Sequence, residues 1–593
     1  MRSIRLSLFA LCAVLPLAAV AATNRICSVY VESYASLQKQ LFLGAEVFKA
    51  PQLGAMPMML TMALPGAAQI NPDQPVALHI FDIGEGKPVF ILEVTPVGAA
   101  DAYLQAIVGN ETTLPEPVAG VYTFAGGAAR IAGTRILFAP EASHLEACAG
   151  KDAPALPPLP DVPGTIRVTA APVALATMIQ SAREKMKEAF SAMGDAGMPN
   201  AEQSRKSMEA IIDFYSLILR QMESLQIGIT VQREGLVIHS RLVPVKDSDI
   251  ASLLASAKPV TPDYLAFLDE DALLRFASGS YSVPDGMRKQ IIDLYAAMIR
   301  LSPNLAPIEP TDIVALIEPS LRAFGAPMAF TVNCRTNAIL AHGMMGIPQP
   351  ETYLNDQLAL LTKPVFTNLM QHSGVKQTKP TVRTYKQSKI HTFNTVLDEE
   401  AFKKVLKDQM PVGLEPEAVE EALQSGLRPV RAMMKLFEPG YEYAAVGQAL
   451  AFGMGSPAMV EQVIDRIGSP AKPSAEADRI AKLLAPSAPP CAIGRLSVSG
   501  ISQMVLTMSH VLPEEGAAAL PTGDGILFAK WAANGQAAST VLITTSEITS
   551  LTAIFQAASQ AQGMKAALEG DDEDDLDEAE DMDDDEDRDD AQE

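Results

Sequence analysis

Residues 224 to 240, "SLQIGITVQREGLVIHS", place an apolar side chain at every second position, so that Leu225, Ile227, Ile229 and Val231 share one face of a strand. The period of two resumes at Leu236, Ile238 and Leu242 after a turn at "REG". Gly235 suits that turn, because positive φ costs a residue with a β-carbon about 1 to 2 kcal/mol. "DSDIASLLAS" then restores helical spacing through Ile250, Leu253 and Leu254. The predicted unit is strand, tight turn, strand, helix.

The same unit recurs three times. "VALHIFDIGEGKPVFILEVTPVGAADAYLQAI" turns at Gly84 to Gly86, "MAFTVNCRTNAILAHGMMGIPQPETYLNDQLALL" at Asn337, and "GILFAKWAANGQAASTVLITTSEITSLTAIFQAA" at Asn534 and Gly535, a strong hairpin signal. Each copy follows a segment that reads as a strand running into a helix: "CSVYVESYASLQKQL", "GTIRVTAAPVALATMI", "DYLAFLDEDALLRFA" and "CAIGRLSVSGISQMVL". Between the members of each pair lies a unit of two strands and a helix, "GVYTFAGGAARIAGTRILFAPEASHLEAC" and "GYEYAAVGQALAFGMGSPAMVEQVI".

The order of elements therefore repeats once. It predicts two related halves, residues 22–257 and 258–560, with extra helices and the segment "TVRTYKQSKIHTFNTVLDEEAFKKVL" inserted in the second. Hairpins on short turns give antiparallel sheet, and the helices that follow must bury their apolar stripes on its faces. The fold class is α+β: antiparallel sheets built from repeated hairpin-helix units with helices packed on them. The patterns "GKPVFILEV" then "ADAYLQAI" and "GTRILFAP" then "ASHLEAC" resemble an exported bacterial family of unknown function, whose signature is short strands and helices in duplicated order. The resemblance covers most of residues 27–560 and implies the fold. That family carries no established catalytic residues to transfer.

The chain opens "MRSIRLSLFALCAVLPLAAVAATNR", where Arg2 and Arg5 precede an apolar run ending in Ala19, Val20 and Ala21, the pattern of a signal peptide cleaved after residue 21. Export to the periplasm or the extracellular space is expected, with no transmembrane anchor after cleavage. The length of 593 residues exceeds what one core serves, so at least two are needed. The net charge of −24 is concentrated at the C-terminus: Glu569 to Glu593 hold 18 acidic residues against Arg588. Residues 561–593 read as a solvated acidic tail that aids solubility or touches a basic partner. The remainder has no basic stripe, which argues against nucleic acid as a partner.

After cleavage four cysteines remain, Cys27, Cys148, Cys334 and Cys491, in a compartment where disulfides persist. Of the three pairings, Cys27 with Cys148 and Cys334 with Cys491 would each fall inside one half; four free thiols are the alternative. The seven histidines lie too far apart in sequence for ligands on one helix face. "SLQK" sets Ser36 and Lys39 one helical turn apart, but the companion motifs of a serine–lysine enzyme do not occur. "GEGK" at Gly84 to Lys87 reads as a hairpin turn rather than a phosphate loop. Met56, Met58, Met59 and Met62 could hold monovalent copper through soft thioethers, though methionine more commonly fills apolar gaps or adaptable surfaces.

No convergent polar motif appears, so no catalytic residue, cofactor or metal site is expected. The sequence favours a non-enzymatic binding or scaffold protein of the envelope. Its apolar groove would be lined by the methionine-rich segment and by "MEAIIDFYSLILRQMESL" around Tyr215 and Ile218, for a lipid-like ligand or an envelope polypeptide. The alternatives are a structural protein without a small ligand, and a hydrolase assembled from distant loops.

Overall fold

The computed structural model describes residues 24–570 apart from 64–65, 83–87, 110–112, 148–159, 181–182, 184–200, 302–308, 336–337, 373, 408–414, 437–439, 470–471, 473, 509–515 and 517–518. The leader, the turn residues Gly84 to Gly86 and Asn337, Cys148, His510 and the acidic residues 571–593 lie outside the described residues.

The first half contributes β1 (Asn24–Val31), β2 (Val76–Asp82), β3 (Pro88–Val94), β4 (Val121–Phe124), β5 (Gly127–Ala132), β6 (Arg135–Ala139), β7 (Ile166–Ala170), β8 (Met222–Gln232) and β9 (Gly235–Pro244). The second contributes β10 (Leu274–Ser278), β11 (Met328–Arg335), β12 (Ala338–Gly346), β13 (Val375–Gln377), β14 (Thr381–Tyr385), β15 (Ser388–Phe393), β16 (Thr395–Leu397), β17 (Tyr441–Val446), β18 (Ala449–Met454), β19 (Ala492–Leu496), β20 (Ile526–Ala533) and β21 (Gln536–Thr544). The α+β class is observed. All four predicted hairpins form, as β2–β3, β8–β9, β11–β12 and β20–β21, and each is followed by its helix: Ala100–Val108, Asp249–Ser256, Pro350–Leu360 and Thr545–Gly570.

Nineteen strands join into one sheet, in which each neighbouring pair is antiparallel. Its spatial order is β4-β5-β6-β3-β2-β1-β7-β8-β9-β21-β20-β19-β10-β11-β12-β18-β17-β15-β14. Read inward from β4, the first nine strands run 4-5-6-3-2-1-7-8-9. Read inward from β15, the others run 15-17-18-12-11-10-19-20-21, the same permutation once β13, β14 and β16 are set aside. The two runs meet where β9 pairs with β21.

Packing crosses that seam on both faces. Val237 of β9 belongs to the large core of the second half, with Phe267, Ile390, Ile480, Ile493 and Leu542. On the other face Ile250 and Leu254, from the helix after β9, pack with Met287 and Ala537. The first half adds its own cores around Ile91 and Leu145, around Leu104 and Ile136, and around Ile26 and Met178.

Several details differ from the sequence reading. "DYLAFLDEDALLRFA" forms its helix first, Pro262–Leu265 with a 3-10 turn at Ala266–Asp269, and its strand β10 afterwards. Pro262 presets the φ of a first helical turn, while β10 lies between β11 and β19 and so lacks a clean polar alternation. The "GVYTF" unit holds three strands, not two, and the supposed insertion supplies β14 and β15 to the main sheet. Residues 561–570, assigned to the tail, continue the last helix, as their alanine, glutamine, methionine and leucine allow.

The pairing of Cys334 with Cys491 is corrected. Both are free thiols at opposite ends of β10: Cys491 O accepts from Gly279 N at 2.9 Å, while Asn333, beside Cys334, reaches Asp271 O at 3.2 Å. Between those ends run about seven residues of strand at ~3.3 Å each, far beyond the ~7 Å between α-carbons that a disulfide spans.

Candidate functional site

The seam between the halves positions the most composite site. In the β9–β21 ladder His239 faces Thr540, with Nδ1 and Oγ1 hydrogen-bonded at 3.0 Å, and the hydroxyls of Ser240 and Ser539 share a hydrogen bond of 2.7 Å. The backbones approach so closely at Gly235 that a β-carbon there would stand 2.0 Å from Ile543 O, and the residue's φ is +148°. Burial holds the His239 imidazole below its ordinary pKa, which favours the neutral ring.

Above His239 and Thr540 lies a groove of about 360 Å³. Its walls come from different halves: Asp161 to Pro163 precede β7, and Ala485 and Ser487 precede β19. Trp531 and Ala538, paired across β20 and β21, continue the floor. The polar groups are held in place. Trp531 Nε1 donates to Ser487 Oγ at 2.8 Å, and Arg241 donates from Nε to Gln536 Oε1 at 2.7 Å and from Nη1 to Asp161 Oδ2 at 2.9 Å. Asp161 thus balances the one guanidinium of the groove, leaving a lining rich in hydroxyl and amide groups with little net charge.

A second cleft, of about 580 Å³, lies within the second half among Tyr264, Met344, Gln448, Asp465, Arg466 and Lys472. Its charges are mostly committed. Arg466 pairs with Glu270 at 2.5 Å and lies 4.2 Å from the Phe267 ring centre; Asp465 pairs with Lys386 at 2.5 Å and accepts from Tyr385 Oη at 3.1 Å.

Each half also buries a histidine within one of its hairpin ladders. In the first, Ser28 Oγ meets His79 Nδ1 at 2.8 Å, His79 Nε2 meets Glu93 Oε2 at 2.9 Å, and Arg135 donates to Glu93 Oε1 at 2.6 Å. In the second, His342 Nε2 meets Glu270 Oε2 at 2.7 Å, and Arg466 closes the chain. His79 pairs across its ladder with Ile91, and His342 with Thr331, so the imidazole sits on opposite members of the two hairpins. Burial alone would raise the pKa of Glu93 and Glu270; the hydrogen bond from histidine and the arginine charge outweigh it and hold both carboxyls below their usual range.

Ser28, His79 and Glu93 have the connectivity of a hydrolytic triad. Ser28 and His79 are, however, 0% exposed, so no substrate reaches the hydroxyl. The array does the work of a buried polar network: it satisfies donors and acceptors that would otherwise be desolvated without partners. Sequence reading missed it because strands far apart in sequence bring its members together. The only local signal was Ser28, His79 and Glu93 at positions inside apolar strands.

The residues proposed for an apolar groove lie on two separate helical pairs. Helix Pro51–Ala63 packs on helix Tyr34–Val47, anchored where Tyr34 Oη donates to Pro57 O at 3.2 Å, and it leaves Met58, Met59 and Met62 exposed; Met56 is half-buried. Tyr215 and Ile218 belong to helix Ala201–Arg220, which packs on helix Asp285–Leu301. Ile218 is taken up by the Ile250–Met287 core, and Tyr215 is exposed. Ser36 serves the capping box of helix Tyr34–Val47, where its hydroxyl accepts from Ser33 N at 3.1 Å and donates to Ser33 O at 2.9 Å; exposed Lys39 is not among its partners. Among the described residues no group of three His, Cys, Asp or Glu side chains could hold a metal, and no helix is long and apolar enough to cross a membrane.

Compared with family models, curated proteins and solved structures, the chain matches none.

Proposed function

We propose that this is an exported, non-enzymatic binding protein of the envelope, in which two halves descended from one duplicated segment form a rigid frame around a composite site. The observation that carries the reading is the origin of the groove walls: Asp161 to Pro163 from one half and Ser487 from the other stand over the ladder where β9 meets β21. Sites between structural units are where small ligands most often bind.

The lining favours an uncharged, hydroxyl-bearing ligand such as a neutral saccharide. Asn534 and Gln536 supply amide partners and Ser487 and Ser539 hydroxyls, the largely buried Trp531 lends an apolar floor, and the Arg241 charge is met by Asp161. A lipid-like ligand is less well served, because the exposed methionines sit on a separate helical hairpin.

Ligand-observed NMR of the full chain against a panel of neutral oligosaccharides tests this reading. Ala538→Trp places an indole opposite Trp531 and fills the groove, so binding should fall at least about tenfold while the fold is retained. Binding unaffected by A538W, or binding confined to charged or apolar probes, would refute it.

A further inference from the structure

We propose that the acidic residues 571–593 dock on the basic edge of the sheet at β14 of the same chain. The proposal does not depend on the saccharide reading of the groove.

β14 is an edge strand: it pairs with β15 on one side and with no described strand on the other, and Val382 is 57% exposed. An edge of that kind presents a row of unpaired backbone groups and is normally protected by charge or by a cover. Between residues 375 and 407 the chain holds eight Lys and Arg against three Asp and Glu, inside a protein of net charge −24. Part of that charge is spent locally, since Arg383 pairs with Glu442 and Glu461, Lys386 with Asp465, and Lys376 with Asp398. Lys379, Lys389, Lys404 and Lys407 are exposed and make no ion pair with a described residue. Lys379 precedes β14, and Lys389 faces Thr384 across the β14–β15 ladder.

The occupant is set by charge and by reach. The 23 residues after Gly570 carry 17 Asp and Glu against one Arg, the strongest complement to this edge in the chain. Helix Thr545–Gly570, which leads into this segment, packs on helix Val498–Met508 and on β21 and β9. The 23 residues after Gly570 span up to ~76 Å when extended. Docking there places carboxylates beside Lys379 and Lys389 and covers the open edge.

Zero-length carbodiimide cross-linking of the full chain, run on an equal mixture of isotope-labelled and unlabelled protein, tests the proposal. The expected product joins Asp or Glu of 571–593 to Lys379 or Lys389 within chains of one isotope composition. Raising the salt to about 0.5 M should suppress it, because the Debye length then falls below the contact distances of an open surface. Lys379→Glu with Lys389→Glu should lower the yield about fivefold or more at unchanged melting temperature. Links only to lysines other than Lys379 and Lys389, no links at all, or links only between differently labelled chains would each overturn intramolecular docking at β14; the last would assign the edge to a second copy.

Discussion

His239 and Thr540 face each other across β9 and β21 and hydrogen-bond at 3.0 Å, although 301 positions separate them in sequence. Each is the fifth residue of its strand, counted from the first residue after the hairpin turn. The ladder therefore pairs the same position of the two hairpins. The groove sits on that seam, with one loop from each half as its walls.

The two turn glycines at the seam should respond differently to substitution. Gly235→Ala would drive a β-carbon to 2.0 Å from Ile543 O, while the site at Gly535, with φ +73°, is open. Urea denaturation should show a loss of about 3 kcal/mol or more for G235A, from the clash together with the backbone strain, and about 1 kcal/mol for G535A. Equal losses would mean that β9 and β21 do not approach as described.

The Ser28–His79–Glu93–Arg135 array should behave as a structural network. Glu93→Gln leaves His79 and Arg135 without their carboxylate and should destabilise by about 3 to 5 kcal/mol; Ser28→Ala should cost about 1 to 3 kcal/mol. A fluorophosphonate probe should leave Ser28 unlabelled in the folded protein. Labelling that vanishes in S28A would restore the hydrolase reading.

Acid should weaken the fold through groups of opposite charge type. Glu93 and Glu270 titrate below their ordinary range when folded, so their stabilisation is present above the unfolded carboxylate pKa and is lost as pH falls through the lower folded value. His239 is depressed by burial, so the unfolded chain takes up its proton first; stability is full above the ordinary histidine pKa and falls as pH drops below it. Melting temperatures should decline from pH 7 to 5, and again at lower pH. His239→Gln should flatten the first decline and Glu93→Gln the second; a profile unchanged by both substitutions would contradict these assignments.

Cys334 and Cys491 should alkylate independently, and no peptide joining them should appear in a non-reducing map. Burial raises both thiol pKa values, so labelling should be slow at neutral pH and accelerate toward pH 10. A recovered 334–491 disulfide would require β10 and its neighbours to be rearranged.

Much of the local structure was legible in the sequence. The period of two around Gly235 and around Asn534-Gly535 gave the hairpins, because turn chemistry and burial on one face agree there. β10 was misread because a strand enclosed on both sides carries Arg275 and Ser278 among its buried positions, which blurs the alternation. The seam itself was not legible: pairing His239 with Thr540 is a choice among many antiparallel partners, and nothing local marks it. The buried histidine networks share that limit, since Glu93 meets Arg135 only after β3 pairs with β6. The methionine segment forms a helix that leaves Met58, Met59 and Met62 exposed, a placement that composition alone does not specify.

The seam can be tested by trapping it. Ser240→Cys with Ser539→Cys replaces two hydroxyls that lie 2.7 Å apart, and mild oxidation should link them in nearly every molecule, read as a single cross-linked peptide by mass spectrometry. The register-shifted pair Ser240→Cys with Ala537→Cys should not link. If the shifted pair formed instead, or neither did, β9 and β21 would not meet in this register, and the composite groove would lose its floor.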